Sequence, residues 1–328
     1  MPGILGALRK LALAPSLREV TFSGRGFPGA ESPAAAQLEA IPQAVVCGFE
    51  WGIEARSEWE LERRLELVEP AQRGFAYEGA AMAAVVRDVM PGKGGRTRSL
   101  LLGPGHPHIF LTYIGVGFAL ARLPRPVWRK AIPDLTGSPF HPTMSWLAVD
   151  GYGFDKAYFH TRQWVERRRR PKPYDWAGCP EYFPRAFDQG VGRALWFING
   201  ARPALVVKAL TAFDADRHAD LWSGVGLAAT FAGGADAEDL AWLRAEAGRY
   251  WSELALGVIF AIKARHHSVQ KSGDHLPPHS LAALTGLTGL SVEQAIEIAD
   301  STETHAAGPA GEPAYEMWRA AIRARLEP

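Results

Sequence analysis

The sequence predicts an all-α protein built from about six degenerate helix-pair repeats, arranged as a closed α/α toroid or a short open α-solenoid. The first observation is a short glycine-containing segment that recurs along the chain, with leading glycines at Gly74, Gly115, Gly151, Gly190 and Gly224 and a weaker copy beginning at Leu256. The second is the near absence of alternating β-branched runs, which would mark strands. Stacked helix pairs bury apolar faces on their neighbours in both arrangements, so the repeat leaves closure of the ring open.

The spacing of the repeated segment is that of a helix pair. Successive leading glycines lie 41, 36, 39 and 34 residues apart, and the sixth copy follows 33 residues later. Between the copies, residues 202–213 and 236–251 carry apolar positions at helical intervals, and Ser291 begins another helix with a capping-box pattern. Turn-forming compositions predict loops at 91–107 and 301–313.

The composition predicts a globular protein whose core lies in the repeats. Of the 328 residues, 47% are hydrophobic and 22% are charged, which is enough apolar surface to bury a sizeable core. We divide the chain into an N-terminal segment (1–45), a helical repeat domain (46–300) and a C-terminal loop and helix (301–328).

Net charge argues against a nucleic acid or an anionic membrane as partner of the whole molecule, because 36 basic residues nearly balance 35 acidic ones. The run Arg167–Arg170 is a local exception: it is either a phosphate or partner site or a solvated helix end. Two cysteines without metal-ligand spacing predict a cytoplasmic location. The apolar stretch 109–120 is too short to span a membrane, so no integral membrane segment is expected.

The paired glycines require a compensating contact. A glycine inside a helix costs roughly 0.5–1 kcal/mol relative to alanine. Residues four apart share a helix face, so Gly115, Gly190 and Gly224 each lie beside an alanine, on a face small enough for another backbone to approach. Close helix packing is the simplest interpretation of this pattern.

Two copies carry an acid where the others carry the small residue. Glu78 follows Gly74 by four positions, and Asp155 follows Gly151 by four. A carboxylate in a packed position needs a partner or a cavity, because burying it alone is prohibitive. Glu78 and Asp155 are therefore candidate catalytic acids or members of structural ion pairs, with Arg193 as a partner for either.

The densest polar cluster contains Asp214, Asp216 and Asp220. Asp216 and Asp220 are expected to share a helix face, as acids that protonate a substrate or as ligands of Mg²⁺ would. Acidic residues also favour the first turn of any helix, so a purely structural role stays open. No motif for a zinc site is present, and any cofactor other than Mg²⁺ is unknown.

Aromatic residues lie in or beside the repeats and supply candidates for substrate binding. If the helices enclose a cavity, some aromatics line it and suit a hydrophobic small molecule. The candidates, together with Arg193, are Trp196, Trp222, Phe118 and Tyr152.

Several long motifs resemble a bacterial family known as a domain of unknown function, which is associated with enediyne and other natural-product gene clusters. The motifs are RGF at 25–27, QRGFAYEGAAMA at 72–83, FDQGVGRALWF at 187–197, DLWSGVGLAATFAGG at 220–234 and FAIKAR at 260–265. The resemblance covers nearly the whole chain and implies a role in secondary metabolism, with a polyene or isoprenoid as substrate. It supplies no catalytic residues.

Two functions follow as hypotheses. The first is an enzyme, terpene-cyclase-like, that cyclises or rearranges a long unsaturated chain, with Asp214, Asp216 or Asp220 as proton donor or metal site and Glu78 and Asp155 as further candidates. It requires an enclosed apolar cavity that one of these acids faces. The second is a non-catalytic repeat protein that serves as scaffold or accessory to biosynthetic protein partners.

Overall fold

The computed structural model describes residues 16–91, 94–131, 133–138, 140–308 and 311–326, and all of the regular secondary structure in these residues is helical. The prediction of an all-α protein is confirmed. Within the same residues no helix is both long enough and apolar enough to cross a membrane. The cytoplasmic location stays a prediction.

Sixteen α-helices follow one another in the described residues. They are α1 (Phe22–Arg25), α2 (Pro33–Glu54), α3 (Glu58–Leu65), α4 (Pro70–Val89), α5 (Arg96–Leu102), α6 (Ile109–Leu120), α7 (Trp128–Ala131), α8 (Trp146–Phe159), α9 (Phe183–Ile198), α10 (Pro203–Thr211), α11 (His218–Ala232), α12 (Ala237–Ala247), α13 (Trp251–Ser272), α14 (Pro278–Thr288), α15 (Val292–Ser301) and α16 (Ala314–Leu326). Short 3₁₀ turns and one π-helical turn, Arg162–Glu166, connect them.

Seven helices, which we call the row, pack side by side in chain order: α2, α4, α6, α8, α9, α11 and α13. Their neighbours along the chain include α10, α12 and α14, which pack on the row and on one another. The predicted second helices at 202–213 and 236–251 are confirmed as α10 and α12. The predicted loop at 91–107 is wrong in part, because Arg96–Leu102 is helical and Asp88 accepts hydrogen bonds from the backbone N–H groups at its start.

The first glycine of each repeated segment lies against the helix that precedes it in the row. A Cβ atom at this position would overlap a backbone carbonyl of that helix, so no other residue fits without displacing the helices. The contacts are Gly79 with Val45, Gly115 with Glu78, Gly151 with Ile114, Gly190 with Asp150, Gly224 with Gln189 and Gly257 with Ser223.

The second glycine lies against the helix that follows. The contacts are Gly48 with Ala76, Gly117 with Ala148, Gly153 with Phe187, Gly192 with Leu221 and Gly226 with Leu254. Each interior helix therefore approaches both neighbours at backbone distance. The end helices have one such neighbour each and carry a glycine at only one of the two repeat positions: α2 carries Val46 at the first position, and α13 carries Ile259 at the second.

These contacts correct the sequence alignment of the first copy. Its leading glycine is Gly79, because Gly74 faces only the side chains of His108 and Leu111, each 3.3 Å from an added Cβ. The row also contains one helix more than the six predicted copies. That helix is α2, which the predicted domain boundary after residue 45 divides. The choice between toroid and solenoid stays a prediction.

Two alanine substitutions in α4 test the glycine contacts. We expect Gly79→Ala to destabilise the protein by about 3 kcal/mol or more, since the new methyl group meets backbone rather than flexible side chains. Gly74→Ala should change the free energy of unfolding by less than about 1 kcal/mol, because helix propensity offsets mild crowding. Urea unfolding followed by circular dichroism measures both. Equal effects would show that the backbone approach at Gly79 is not the constraint.

Candidate functional site

A central cavity lies between six helices of the row. Each of these helices contributes at least one phenylalanine to its wall, in chain order Phe49, Phe75, Phe118, Phe154, Phe197 and Phe231, and α8 also contributes Phe159. The cavity is narrow, with a volume of about 50 Å³. Along α2 its lining extends from Ile41 to Phe49, which at a rise of 1.5 Å per residue is about 12 Å. The site is thus a long, thin, mostly apolar space.

Glu78 is the acid that the cavity leaves without a partner. Its side chain projects from α4 into the lining and the residue is only 2% exposed. Within the described residues, its Oε1 atom has no hydrogen-bond partner. Burial raises the pKa of this carboxyl to about 8, so it is mainly protonated near neutral pH. The cavity therefore contains an uncharged carboxylic acid among phenyl rings.

Two arginines modulate the acidity of Glu78. Arg193 lines the cavity, forms a buried ion pair with Asp150 and lies over the ring of Phe154 with its guanidinium carbon 5.0 Å from the ring centroid. Arg193 favours the ionised form of Glu78, Asp150 opposes it, and Arg265 again favours it. Since burial outweighs these charges, the pKa of Glu78 stays raised.

Arg265 contacts two of the phenylalanines that line the cavity but does not line it itself. Its guanidinium donates to the carbonyls of Ala71 at 2.9 Å and Phe231 at 3.0 Å, and it lies over the rings of Phe75 and Phe231. Burial lowers its pKa to about 10, and the nearby Glu78 opposes that shift. This arginine joins α13 to α4 and α11 and holds two of the lining phenylalanines.

Asp155 lies near the more exposed end of the cavity. It pairs with Arg122, whose side chain is 25% exposed and also donates to the carbonyl of Phe118 at 2.9 Å. Both residues line the cavity. The ion pair neutralises Asp155, so the two acids singled out from the sequence occupy different environments: Asp155 is paired and Glu78 is not.

The predicted substrate-binding residues divide into two groups. Phe118 and Arg193 line the cavity. Trp196 and Trp222 are buried outside it, and the indole of Trp196 donates to the carbonyl of Gly233 at 2.9 Å. Tyr152 lines a different pocket beside α8. The expected pairing of Arg193 with Glu78 or Asp155 is wrong, because Asp150 lies closer on the adjacent helix.

Asp220 belongs to a buried polar network that attaches the C-terminal helix α16 to the row. Asp220 accepts hydrogen bonds from Gln189 at 2.9 Å and Arg185 at 3.0 Å, and lies 3.5 Å from Arg319. The full set of charges is balanced, with three arginines and three acids: Arg185, Arg319, Arg323, Asp220, Glu253 and Glu316. Asp220 does not reach the cavity lining.

Asp214 and Asp216 lie on the surface, where both bind Arg170 at 2.9 and 2.6 Å. The expectation that Asp216 shares a helix face with Asp220 is wrong, because α11 begins only at His218 and Asp216 lies in the preceding 3₁₀ turn. In the part of the chain that the structure describes, no group of three or more His, Cys, Asp or Glu is arranged to hold a metal ion. Use of Mg²⁺ stays a prediction.

Sequence reasoning missed a repeat position that carries a buried polar side chain in four helices of the row. The residue immediately before the first glycine is Glu78 in α4, Asp150 in α8, Gln189 in α9 and Ser223 in α11. Glu78 faces the cavity, and the other three bind arginine or tyrosine side chains of the interior. An alignment on Gly79 instead of Gly74 would have revealed this.

The stability of a Glu78→Gln variant should depend on pH differently from that of the wild type. Because the folded-state pKa of about 8 lies above the unfolded value of 4.5, the proton on Glu78 supplies stability below pH 4.5 that is lost as the pH rises through 8. We expect the variant to gain on the order of 4 kcal/mol relative to wild type across this window. Urea unfolding at a series of pH values measures the difference in unfolding free energy between the variant and the wild type, which we call the gap.

A Glu316→Gln variant is the control for this experiment. The surrounding arginines overcome the cost of burial and lower the pKa of Glu316 to about 2, so folding changes its protonation mainly below pH 4.5. The gap between this variant and wild type should stay constant across the same window. A constant gap for Glu78→Gln as well would show that Glu78 titrates at an ordinary pKa.

Two matched Asp→Asn variants separate the buried acid from the exposed one. Asp220→Asn should cost about 3–5 kcal/mol of unfolding free energy, because it leaves buried arginine charge uncompensated. Asp216→Asn should cost less than about 1 kcal/mol, because its side chain is 66% exposed. Urea unfolding by circular dichroism compares them. A larger loss in Asp216→Asn would contradict the assignment of these environments.

Comparison with known proteins shows one match. The model of the family described as "Protein of unknown function (DUF1702)" matches residues 4–326. Searches among curated proteins and among solved structures find no match. Since the matched region is nearly the whole chain, the protein belongs to the DUF1702 family of proteins of unknown function.

Proposed function

We propose that the protein is a biosynthetic enzyme that binds a long unsaturated chain in the central cavity and isomerises or cyclises it by proton transfer from Glu78. The observation that supports this proposal most directly is the unpartnered, protonated carboxyl of Glu78 in a cavity with a phenylalanine from each of six helices. A group with a pKa near the working pH is suited to donating and recovering a proton.

The proposed reaction begins when the Glu78 carboxyl gives its proton to one carbon of a C=C bond. The phenyl faces of residues such as Phe75 and Phe118 stabilise the resulting cation. A second double bond attacks the cation and forms a C–C bond, or no bond forms and the double bond migrates. Loss of a proton from a neighbouring carbon to the Glu78 carboxylate restores the acid, so the product is an isomer of the substrate.

We infer that the row closes around the substrate as an α/α toroid does. Two contacts between distant parts of the row support this arrangement: Gln37 of α2 donates to the carbonyl of Ala232 at the end of α11, at 2.7 Å, and Arg265 of α13 donates to Ala71 of α4. A closed wall excludes water, which would otherwise capture a carbocation. This requirement separates the proposed enzyme from an open scaffold.

The proposed substrate class is a polyene or an isoprenoid. A thin apolar cavity suits an unbranched or methyl-branched chain better than a globular ligand. The likeness of the motifs to a family of natural-product gene clusters agrees with this class, and the reaction is of the terpene-cyclase type. Asp155 then serves to hold Arg122 near the open end, and the surface acids Asp214 and Asp216 take no part.

Glu78→Gln tests the proposal. The purified protein is incubated with squalene, a linear conjugated polyene and geranylgeranyl diphosphate, with and without Mg²⁺, and products are analysed by gas or liquid chromatography with mass spectrometry. We expect at least one probe to give a product of unchanged mass and new retention time. Glu78→Gln should lower its rate by about 100-fold or more, as expected for loss of a general acid.

Glu253→Gln is the matched control, because Glu253 is also largely buried, with 13% of its side chain exposed, but lies outside the cavity. Its rate should stay within about twofold of the wild-type rate. Recovery of every probe unchanged from the wild-type protein, or equal activity of wild type and Glu78→Gln, would overturn the proposal. The alternative of a scaffold would then be examined by copurification with biosynthetic proteins.

A further inference from the structure

A second pocket, which we call the basic pocket, lies beside the C-terminal half of α8. It has a volume of about 460 Å³. Five residues of its lining are cationic and none is acidic; the cations are Arg125, Lys156, Arg169, Arg170 and Lys172. The chain of 167–172 folds back over the π-helical turn, with the N–H of Arg169 donating to the carbonyl of Gln163 at 3.3 Å.

Four of these cations have no carboxylate partner. Arg170 pairs with Asp214 and Asp216, whereas Arg125, Lys156, Arg169 and Lys172 make no ion pair within 4.0 Å in the described residues.

Neutral contacts hold three of the four cations in place. Lys156 donates to the carbonyl of Ala121 at 2.6 Å, Arg125 donates to the carbonyl of Lys172 at 3.2 Å, and Arg169 lies over Trp164. The positive charges are positioned without being neutralised, and an anion would neutralise them.

A surface depression lies between the basic pocket and the central cavity and adjoins both. This depression shares Phe159 with the cavity, and it shares His160 and Gln163 with the basic pocket. Phe159 and His160 are consecutive residues where α8 ends. A chain that leaves the cavity past Phe159 therefore arrives beside the cations.

We propose that the basic pocket binds the phosphoryl head group of an amphiphile whose apolar chain occupies the central cavity. The substrate class is then a long-chain phosphate or diphosphate ester. This inference rests on the proposed function for the position of the chain but not for the binding of the head group. A phosphoryl group carries about −1.5 to −2 charge near neutral pH, and it accepts paired hydrogen bonds from arginine. A single carboxylate would leave most of the charge uncompensated.

Binding of inorganic pyrophosphate tests the pocket directly. Isothermal titration calorimetry is carried out on the full-length protein, in a metal-free buffer of low ionic strength. We expect pyrophosphate to bind the wild type. Arg125→Gln and Arg169→Gln should each weaken binding by about tenfold or more, as expected for the loss of a charge-assisted hydrogen bond.

Arg167→Gln is the matched control, because Arg167 belongs to the same arginine run and is exposed but does not line the pocket. It removes the same charge and should weaken pyrophosphate binding less than about twofold. Absence of pyrophosphate binding, or an equal loss of pyrophosphate affinity in Arg167→Gln and Arg169→Gln, would overturn the proposal that the basic pocket binds a phosphoryl group.

Two further ligands distinguish a head group from a free phosphate compound. Geranylgeranyl diphosphate should bind at least about tenfold more tightly than pyrophosphate, since its chain adds apolar burial. Geranylgeraniol should compete with geranylgeranyl diphosphate and not with pyrophosphate. Equal affinity for pyrophosphate and geranylgeranyl diphosphate would show that the apolar chain of a ligand in the basic pocket does not occupy the central cavity.

Glu78→Gln separates this inference from the proposed function. Pyrophosphate affinity should be the same in that variant as in wild type, because Glu78 is not among the residues of the basic pocket. If pyrophosphate binds as expected but no probe is converted, the proposed enzymatic function is refuted and the phosphoryl-binding pocket is retained. If a probe is converted but pyrophosphate does not bind, the phosphoryl-binding pocket is refuted and the enzymatic function is retained.

Discussion

Backbone contact between adjacent helices is the constraint on which the rest of this structure depends. The glycines let each interior helix of the row approach both neighbours at backbone distance; α6, α8, α9 and α11 do so with a pair, whereas α4 has Ala81 at the second position and meets α6 through Gly115. The helices thereby meet in one register along the whole row, and side chains at equivalent positions face equivalent directions. The phenylalanines of the cavity wall stand at three positions of the repeat that share one helix face: four residues before the first-glycine position (Phe75), three after it (Phe49, Phe118 and Phe154) and seven after it (Phe197 and Phe231).

The same register explains why a carboxylic acid is tolerated inside the protein. Glu78 occupies the position before the first glycine of α4, and its own backbone carbonyl is in contact with Gly115 of the next helix. The backbone there is fixed on both sides, so the side chain cannot move outward to solvent. Burial then makes protonation the less costly response, and the pKa of the carboxyl rises. Asp150 and Asp220, at other places in the interior, are instead stabilised by arginines.

Much of the fold was predictable from the sequence, but less of the site was. Helical periodicity and the recurrence of glycine predicted the all-α class and the second helices, because both signals are local. Gly74 and Gly79 look alike in sequence, and only the contact with Val45 shows which of them belongs to the repeat. Asp214 and Asp216 attracted attention as a dense acidic cluster, yet their environment is set by Arg170, more than forty residues away in the chain. Glu78 was found, although through the wrong neighbouring glycine.

The glycine pattern changes at the two end helices of the row, where a larger side chain replaces one member of the pair. Ile259 stands where a further helix would need to approach α13, and Val46 stands at the corresponding position of α2. A side chain at either position excludes the approach of a further helix through a glycine there, and Val46 in addition lines the cavity. A duplicated repeat inserted between α9 and α11 would carry its own pair of glycines. The array would then grow from within while both of its ends stayed unchanged.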